Sequence, residues 1–178
     1  MRLPAHAGHS PFNASWVSMP KMRYRLAQLS DIDTMARIRT EGGWEESASA
    51  DRMALYLSGK HHPKHELAER SIHIAESDDT NAMLGFVAGH LTTRYSCDGE
   101  LQWIYVLPEQ RGSGVASELL REMSAWFLAR DVRRVCVNVS PDNHVARRFY
   151  ERHGAQALNE YWMVWPDLQA TQTADARI

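Results

Sequence analysis

LQWIYVLPEQRGSGVASELL, residues 101–120, joins an apolar run to a glycine-rich turn and an amphipathic segment. The apolar run ends at Pro108, and Gly112-Ser113-Gly114 follows shortly after it. This order predicts a strand, a tight turn and a helix. Backbone N–H groups at a helix N-terminus attract anions, and glycines allow the backbone to approach them closely. The stretch therefore predicts a diphosphate-binding loop, with Arg111 as a positive charge at its mouth.

Two common phosphate-binding loops are excluded. No Gly-Lys-Ser/Thr closes the turn, and the third glycine of a dinucleotide fingerprint would fall on Ser117. The string from Val106 to Ala116 instead resembles the R-x-x-G-x-G/A motif of the GCN5-related N-acetyltransferases (GNAT). In that family the loop holds the pyrophosphate of acetyl-CoA. Arg111, Gly114 and Ala116 fill the three motif positions.

A second motif follows downstream. The segment from Asn143 to Gly154, NHVARRFYERHG, resembles the N-x-x-A-x-x-x-Y-x-x-x-G segment of the same family. The resemblance implies that Asn143 contacts CoA and that Tyr150 faces the CoA sulfur. Two motifs in the expected order are more specific than either alone, and the resemblance extends over residues 22–165.

The remaining pattern predicts an α/β domain with a mixed central sheet flanked by helices. Alternation predicts a strand over 22–27 and a hairpin over 71–76 and 83–92, and Ser30-Asp31 opens a helix. Further helices are predicted over about 50–57 and 65–70, with a last hairpin over 156–164. The order β-α-α-β-β-β-α-β-α-β-β matches the GNAT fold. We predict an N-terminal extension (1–21), the acetyltransferase domain (22–167) and a polar tail (168–178).

Composition excludes several classes of protein. A chain of 178 residues with net charge −2 suits one domain and gives no electrostatic case for nucleic-acid binding. No apolar run is long enough to span a bilayer, and residues 1–21 lack the apolar core of a signal peptide. With only 2 cysteines, we expect reduced thiols in a cytoplasmic protein. The histidines around Pro63 read as a solvated loop, so no metal is predicted.

The resemblance also implies how acetyl-CoA is bound. The strands on either side of the loop are expected to splay apart, and the pantetheine would lie along the first of them. Val106 is then the expected N–H donor to the thioester oxygen. The predicted cofactor-binding residues are Ile104, Tyr105, Val106, Arg111, Gly112, Ser113, Gly114, Val115, Ala116, Ser117 and Asn143.

Acetyl transfer to an amine needs an acid and a base. A phenol can protonate the departing thiolate, so Tyr150 is the predicted acid. Glu100 is the predicted base, because its even separation from Val106 places both side chains on one sheet face. A glutamate with this spacing is the base in histone acetyltransferases of the superfamily. The alternative is that Glu100 is an exposed turn residue after Asp98-Gly99.

The acceptor site is predicted between the first two helices. Glu41, Glu45 and Glu46 flank Trp44 there, which favours a cationic acceptor held by carboxylates and an aromatic face. A solvated acidic loop explains the same pattern equally well. Cys97 alone does not indicate an acyl-enzyme, because the family transfers the acetyl group directly.

We predict an acetyl-CoA-dependent N-acetyltransferase that acts on a primary amine, specifically a small cationic one. The alternatives are an enzyme for protein N-termini or lysines and a non-catalytic acyl-CoA-binding regulatory module. The expected partners are acetyl-CoA and the amine, without nucleic acid or membrane. A homodimer is one oligomeric state left open.

Overall fold

A computed structural model describes residues 21–40, 46–60 and 63–169. Within them, seven strands form one sheet in the order β1-β2-β3-β4-β5-β7-β6. β4 and β5 run parallel, whereas the other neighbouring pairs are antiparallel. The elements are β1 (Met22–Leu26), α1 (Ile32–Thr40), α2 (Glu46–Leu57), β2 (Glu66–Ser77), β3 (Met83–Thr92), β4 (Gly99–Val106), α3 (Val115–Leu128), β5 (Val135–Asn138), α4 (His144–Arg152), β6 (Gln156–Asn159) and β7 (Trp162–Trp165).

Helices cover both faces of the sheet. The apolar stripe of α3, with Leu119 and Phe127, packs on one face together with Tyr150 of α4. Met35 of α1 and Met53 of α2 pack on the other face. The α/β class and the order of strands and helices predicted from the pattern are confirmed. No helix in the described ranges combines the length and apolarity needed to cross a bilayer.

The helix predicted over residues 65–70 is wrong. These residues open β2, which begins at Glu66; Glu66 pairs with Thr92 of β3 and Arg70 with His90, with a bulge between the two pairs. The local string ELAER favours a helix, but the ladder with β3 supplies backbone hydrogen bonds that the isolated segment lacks. α2 begins at Glu46 rather than near Ala50.

An ion-pair network anchors β1 to the edge of the sheet. The Arg25 guanidinium contacts Asp31 at 2.7 Å and Glu76 of β2 at 2.5 Å, and Arg23 contacts Glu76 at 2.8 Å. Hydrogen bonds from Arg25 hold the pKa values of both carboxyl groups below their usual range. The charged forms are therefore stabilised by folding.

Two irregularities in β4 shape the centre of the molecule. The β3–β4 register passes from Ala88↔Trp103 to Gly89↔Leu101, so Gln102 is an extra residue in β4. Pairing with β5 ends at Leu101↔Val137, although β4 continues to Val106. β5 itself ends one residue after this pair, at Asn138, so the rest of β4 has no described strand partner on that side. We call the region beside this unpaired edge of β4 the wedge.

Candidate active site

The glycine-rich loop follows β4 directly. The N–H groups of Gln110 and Arg111 donate to Leu107 and Pro108 at 2.9 and 3.1 Å, and the Ser113 hydroxyl donates to the Gln110 carbonyl at 2.5 Å. These bonds close a compact turn. Gly112 and Gly114 have φ of 80° and 88°, in the left-handed region that glycine adopts without strain.

The loop leaves the N-terminus of α3 open. Gly114 is its N-cap and has no side chain to cap it, and the bond from Glu118 N–H to the Gly114 carbonyl, 3.1 Å, belongs to the first helical turn. The N–H groups of Val115, Ala116 and Ser117 therefore lack an intrahelical acceptor. A Cβ at Gly112 or Gly114 would meet no described atom within 4 Å.

These features fit a diphosphate. The free N–H groups and the positive end of the helix dipole favour an anion, and the open space beside the glycines can admit one. The exposed Arg111 adds a positive charge next to this space. The residues predicted for this loop lie together between β4 and α3, and their contact with CoA stays a prediction.

Ser117 has a second role that the sequence did not show. Its hydroxyl lies 3.0 Å from Nε2 of His153, and Nδ1 of His153 lies 2.8 Å from the Phe149 carbonyl. Because a carbonyl only accepts, Nδ1 carries a proton, and in the neutral imidazole Nε2 then accepts from the Ser117 hydroxyl. The Trp165 indole N–H donates to the His153 carbonyl at 2.7 Å. His153 therefore ties the end of α4 to the first turn of α3.

Tyr150 lies in α4 and is 5 % exposed. Its ring packs edge-on against Trp165 at 5.5 Å, and burial raises the pKa of its hydroxyl well above the usual value, with a smaller contribution from Tyr105. The phenol therefore stays protonated at neutral pH, which is the state a proton donor needs.

Asn143 is the N-cap of α4. Its side-chain oxygen accepts from the Ala146 N–H at 3.1 Å, which satisfies one of the open donors of this helix. The motif asparagine thus orders the helix that carries Tyr150. Its contact with CoA stays a prediction.

Glu100 is buried rather than exposed, so the turn alternative is wrong. Its carboxylate accepts from Arg94 Nε at 2.8 Å and lies 3.7 Å from His90 Nε2, and Nδ1 of His90 lies 3.1 Å from the Tyr56 hydroxyl. This chain connects β4 through β3 to α2. Glu100 therefore lies within a buried polar network.

The argument that Glu100 and Val106 share a sheet face is also wrong. Glu100 lies opposite His90, which contacts Tyr56 on the α1/α2 side, whereas Val106 packs against the α3 core. The extra residue Gln102 lies between them and reverses the alternation. The base role of Glu100 stays a prediction.

The residues predicted to line the pantetheine lie beyond the last β4–β5 pair. Ile104 and Val106 pack with the α3 core, and Tyr105 packs with the opposite one. Their edge towards β5 has no strand partner in the described part of the sheet. This edge is the long side of the wedge.

The predicted acceptor residues are only partly described. Glu41, Trp44 and Glu45 lie outside the described residues, and Glu46 is exposed at the start of α2. The preceding helix does reach β4, because the Arg39 guanidinium lies 5.2 Å from the ring centre of Trp103. No cluster of His, Cys, Asp and Glu suited to a metal ion occurs in the described ranges.

Known proteins are similar to this chain in sequence or in fold. The acetyltransferase (GNAT) family matches residues 31–155. An uncharacterised N-acetyltransferase of Archaeoglobus fulgidus is 28 % identical over 136 residues, which cover 72 % of this chain and 89 % of that protein.

Two solved structures have the same fold. One is an N-acetyltransferase of Thermoplasma acidophilum in complex with coenzyme A, with a TM-score of 0.61 at 15 % identity and coverage of 81 % and 98 % of the two chains. The other structure contains mutant forms of the spermidine/spermine N-acetyltransferase of Vibrio cholerae. Its TM-score is 0.62 at 14 % identity, and the match covers 86 % of this chain and 98 % of that one. The chain belongs to the acetyltransferase (GNAT) family, whose reaction is N-acetyl transfer from acetyl-CoA.

Proposed function

We propose that this enzyme transfers the acetyl group of acetyl-CoA directly to a small cationic primary amine. The observation that carries the proposal is the wedge beside β4, which has the open α3 N-terminus at one end. Buried Tyr150 packs in the core on the α3 side of the sheet. In this arrangement the helix end binds the diphosphate and the thioester enters the wedge.

Tyr150 is the proposed acid for the departing thiolate. Its hydroxyl is protonated at neutral pH, and the bond between Ser117 and His153 fixes its helix relative to the diphosphate loop. Glu100 is the proposed base that accepts the proton of the amine, directly or through water. Its carboxylate is already paired with Arg94, so a test must separate basicity from anchoring.

Direct transfer is favoured by the position of the thiols. Cys97 is 3 % exposed and packs against Cys136, a neighbour that lowers the pKa of the Cys97 thiol and whose own pKa is raised. An acyl-enzyme needs a nucleophile that the thioester can reach. A thiol enclosed in this cluster does not provide one.

A cationic acceptor is favoured by the acidic residues that follow α1. Exposed Glu46 and the neighbouring Glu41 and Glu45 would attract ammonium groups, and Trp44 offers an aromatic face. The Vibrio cholerae relative in fold is a spermidine/spermine enzyme, which agrees with this choice. These residues are the proposed acceptor-binding group.

The test is thiol release from acetyl-CoA with a panel of spermidine, lysine, an aminoglycoside and a peptide with a free N-terminus. We expect amine-dependent turnover with the largest kcat/KM for a polycationic small amine. Preference for the peptide would instead favour a protein acetyltransferase. Binding of CoA, measured by calorimetry, without turnover of any amine would favour the regulatory module.

A further inference from the structure

Among the described strands, Gln102 has no partner on either side of β4. The β3–β4 ladder passes over it, because Ala88 pairs with Trp103 and Gly89 with Leu101. The β4–β5 ladder ends one residue before it, at Leu101↔Val137. Gln102 is therefore the first residue of β4 beyond the last β4–β5 pair, at the apex of the wedge.

The side chain of Gln102 has an unsatisfied acceptor. Its Oε1 is buried and accepts no hydrogen bond from the residues that the structure describes. Leaving a buried polar atom without a partner is destabilising, and the large majority of such atoms in native proteins are paired. A donor on a bound substrate would satisfy this acceptor at the apex of the wedge.

The surroundings of Gln102 join the two halves of the site. The adjacent Trp103 lies under Arg39, the penultimate residue of α1, and its ring centre is 5.0 Å from that of Tyr56 in α2. The end of α1 therefore lies beside Trp103, the residue that follows Gln102. The residues that come next in the sequence include the proposed acceptor-binding group, while the wedge is the proposed path of the thioester.

We propose that Gln102 binds the acceptor amine, with Oε1 accepting a hydrogen bond from an N–H of the attacking nitrogen. The inference rests on the proposed function, since it requires an amine acceptor. It adds to that proposal a residue that orients the nucleophile at the point where the amine and the thioester meet.

The chemistry of an amide suits this position. A carboxylate here would stabilise the ammonium form and raise the pKa of the amine, which would oppose the loss of the proton before attack. An amide oxygen also accepts an N–H but carries no net charge, so it favours the ammonium less. It cannot take the proton, so Gln102 orients the amine and leaves deprotonation to another group.

Gln102→Met tests the inference. Methionine has a similar length and removes both polar atoms, and the same change at Gln156 on the exposed strand β6 is the matched control. With the preferred amine of the panel, we expect the KM of the amine to rise about tenfold in Gln102→Met. The KM of acetyl-CoA should not change, and Gln156→Met should behave as wild type.

Thermal stability separates binding from structure. Because Oε1 has no partner in the free enzyme, Gln102→Met should keep or raise the melting temperature. A clear fall would mean that the side chain is structural and would overturn the inference, as would an unchanged KM for the amine. If the wild type releases no thiol with any amine, the proposed function itself fails, and the inference fails with it.

Gln102→Glu provides a second, independent readout. A charge at this position should stabilise bound ammonium, so we expect the KM of the amine to fall and the rise of kcat with pH to move to higher pH. A profile that coincides with that of the wild type would overturn the inference even if the methionine variant proved unstable.

Discussion

At the scale of the residue, Tyr150 is defined by its burial. The phenol ring packs against Trp165 of β7, and burial is the main reason the pKa of the hydroxyl is raised. We expect Tyr150→Phe to lower kcat about 10²-fold, a usual size for the loss of a general acid, while the ring packing and CoA affinity persist.

The pH dependence of kcat checks the same assignment. A raised pKa keeps the hydroxyl protonated as the pH increases, so no loss of activity from Tyr150 is expected up to about pH 10. Stopped-flow measurement of the acetyl-transfer step in wild type and Tyr150→Phe gives both the fall in rate and its dependence on pH. Equal rates for the two proteins would remove Tyr150 from the mechanism.

Glu100 combines a predicted catalytic role with a visible structural one. If it is the base, Glu100→Gln should lower kcat/KM at neutral pH and recover much of it at high pH, where the amine is free in solution. Arg94→Gln breaks the same ion pair but keeps the carboxylate, so it is the matched control and should retain more activity. Equal losses in both variants, without recovery at high pH, would reduce Glu100 to an anchor of β4.

At the scale of the element, the loop before α3 depends on backbone conformation. Gly114→Asp should weaken CoA binding more than about tenfold, because a carboxylate would face the pyrophosphate. Gly59 at the end of α2 also has positive φ and no neighbour within 4 Å, so Gly59→Asp carries a similar backbone cost away from the loop. Calorimetry with CoA should show a loss in the first variant alone. Equal binding by both would mean that the diphosphate site is elsewhere.

The hydrogen bond between Ser117 and His153 joins α3 to the end of α4 and is tested at the same scale. The hydrogen bond from Ser117 to His153 should appear as a coupling of about 1 kcal/mol in the free energy of unfolding, in a cycle of Ser117→Ala and His153→Phe. Ser124→Ala, a buried serine of the same helix, should show no coupling to His153→Phe. Urea unfolding measures the cycle, and additive effects for Ser117 would contradict the link.

At the scale of the whole molecule, the charges on β1 control stability in acid. The pKa values of Asp31 and Glu76 are lowered in the folded protein, so their contribution is complete above the unfolded values and is lost as the pH falls through the folded ones. Arg25→Gln removes the main cause of both lowered pKa values, the hydrogen bonds from Arg25. We therefore expect its free energy of unfolding to fall less between about pH 6 and pH 3 than that of the wild type.

The matched control for this network is Arg121→Gln. Arg121 pairs with Glu118 and Glu122 on the exposed face of α3, where ion pairs contribute little. Its pH dependence of unfolding should follow the wild type. If Arg25→Gln and Arg121→Gln change the pH dependence of the free energy of unfolding alike, general surface charge rather than the β1 network controls acid stability.

Most of the fold could be predicted because its signals are local. Apolar periodicity identified α3, the turn glycines located the loop, and the spacing of Asn143 and Tyr150 located α4. The helix predicted over 65–70 failed because those residues are stabilised as a strand by β3, a partner distant in sequence. The same limit applies to His153, which follows Tyr150 in the second motif. Its hydrogen bond with Ser117 joins residues that are distant in the sequence, so the motif alone does not indicate it.

The sequence by itself determined the fold class, the acetyltransferase family and the position of the glycine-rich turn before α3, because residue type and spacing suffice for backbone features. Only the tertiary structure decided which side chains share a face of β4. A single unpaired residue, Gln102, reverses the alternation of the strand, so Glu100 lies on the face opposite Val106. The position of such a bulge depends on how two strands pair, and neither strand carries that information alone.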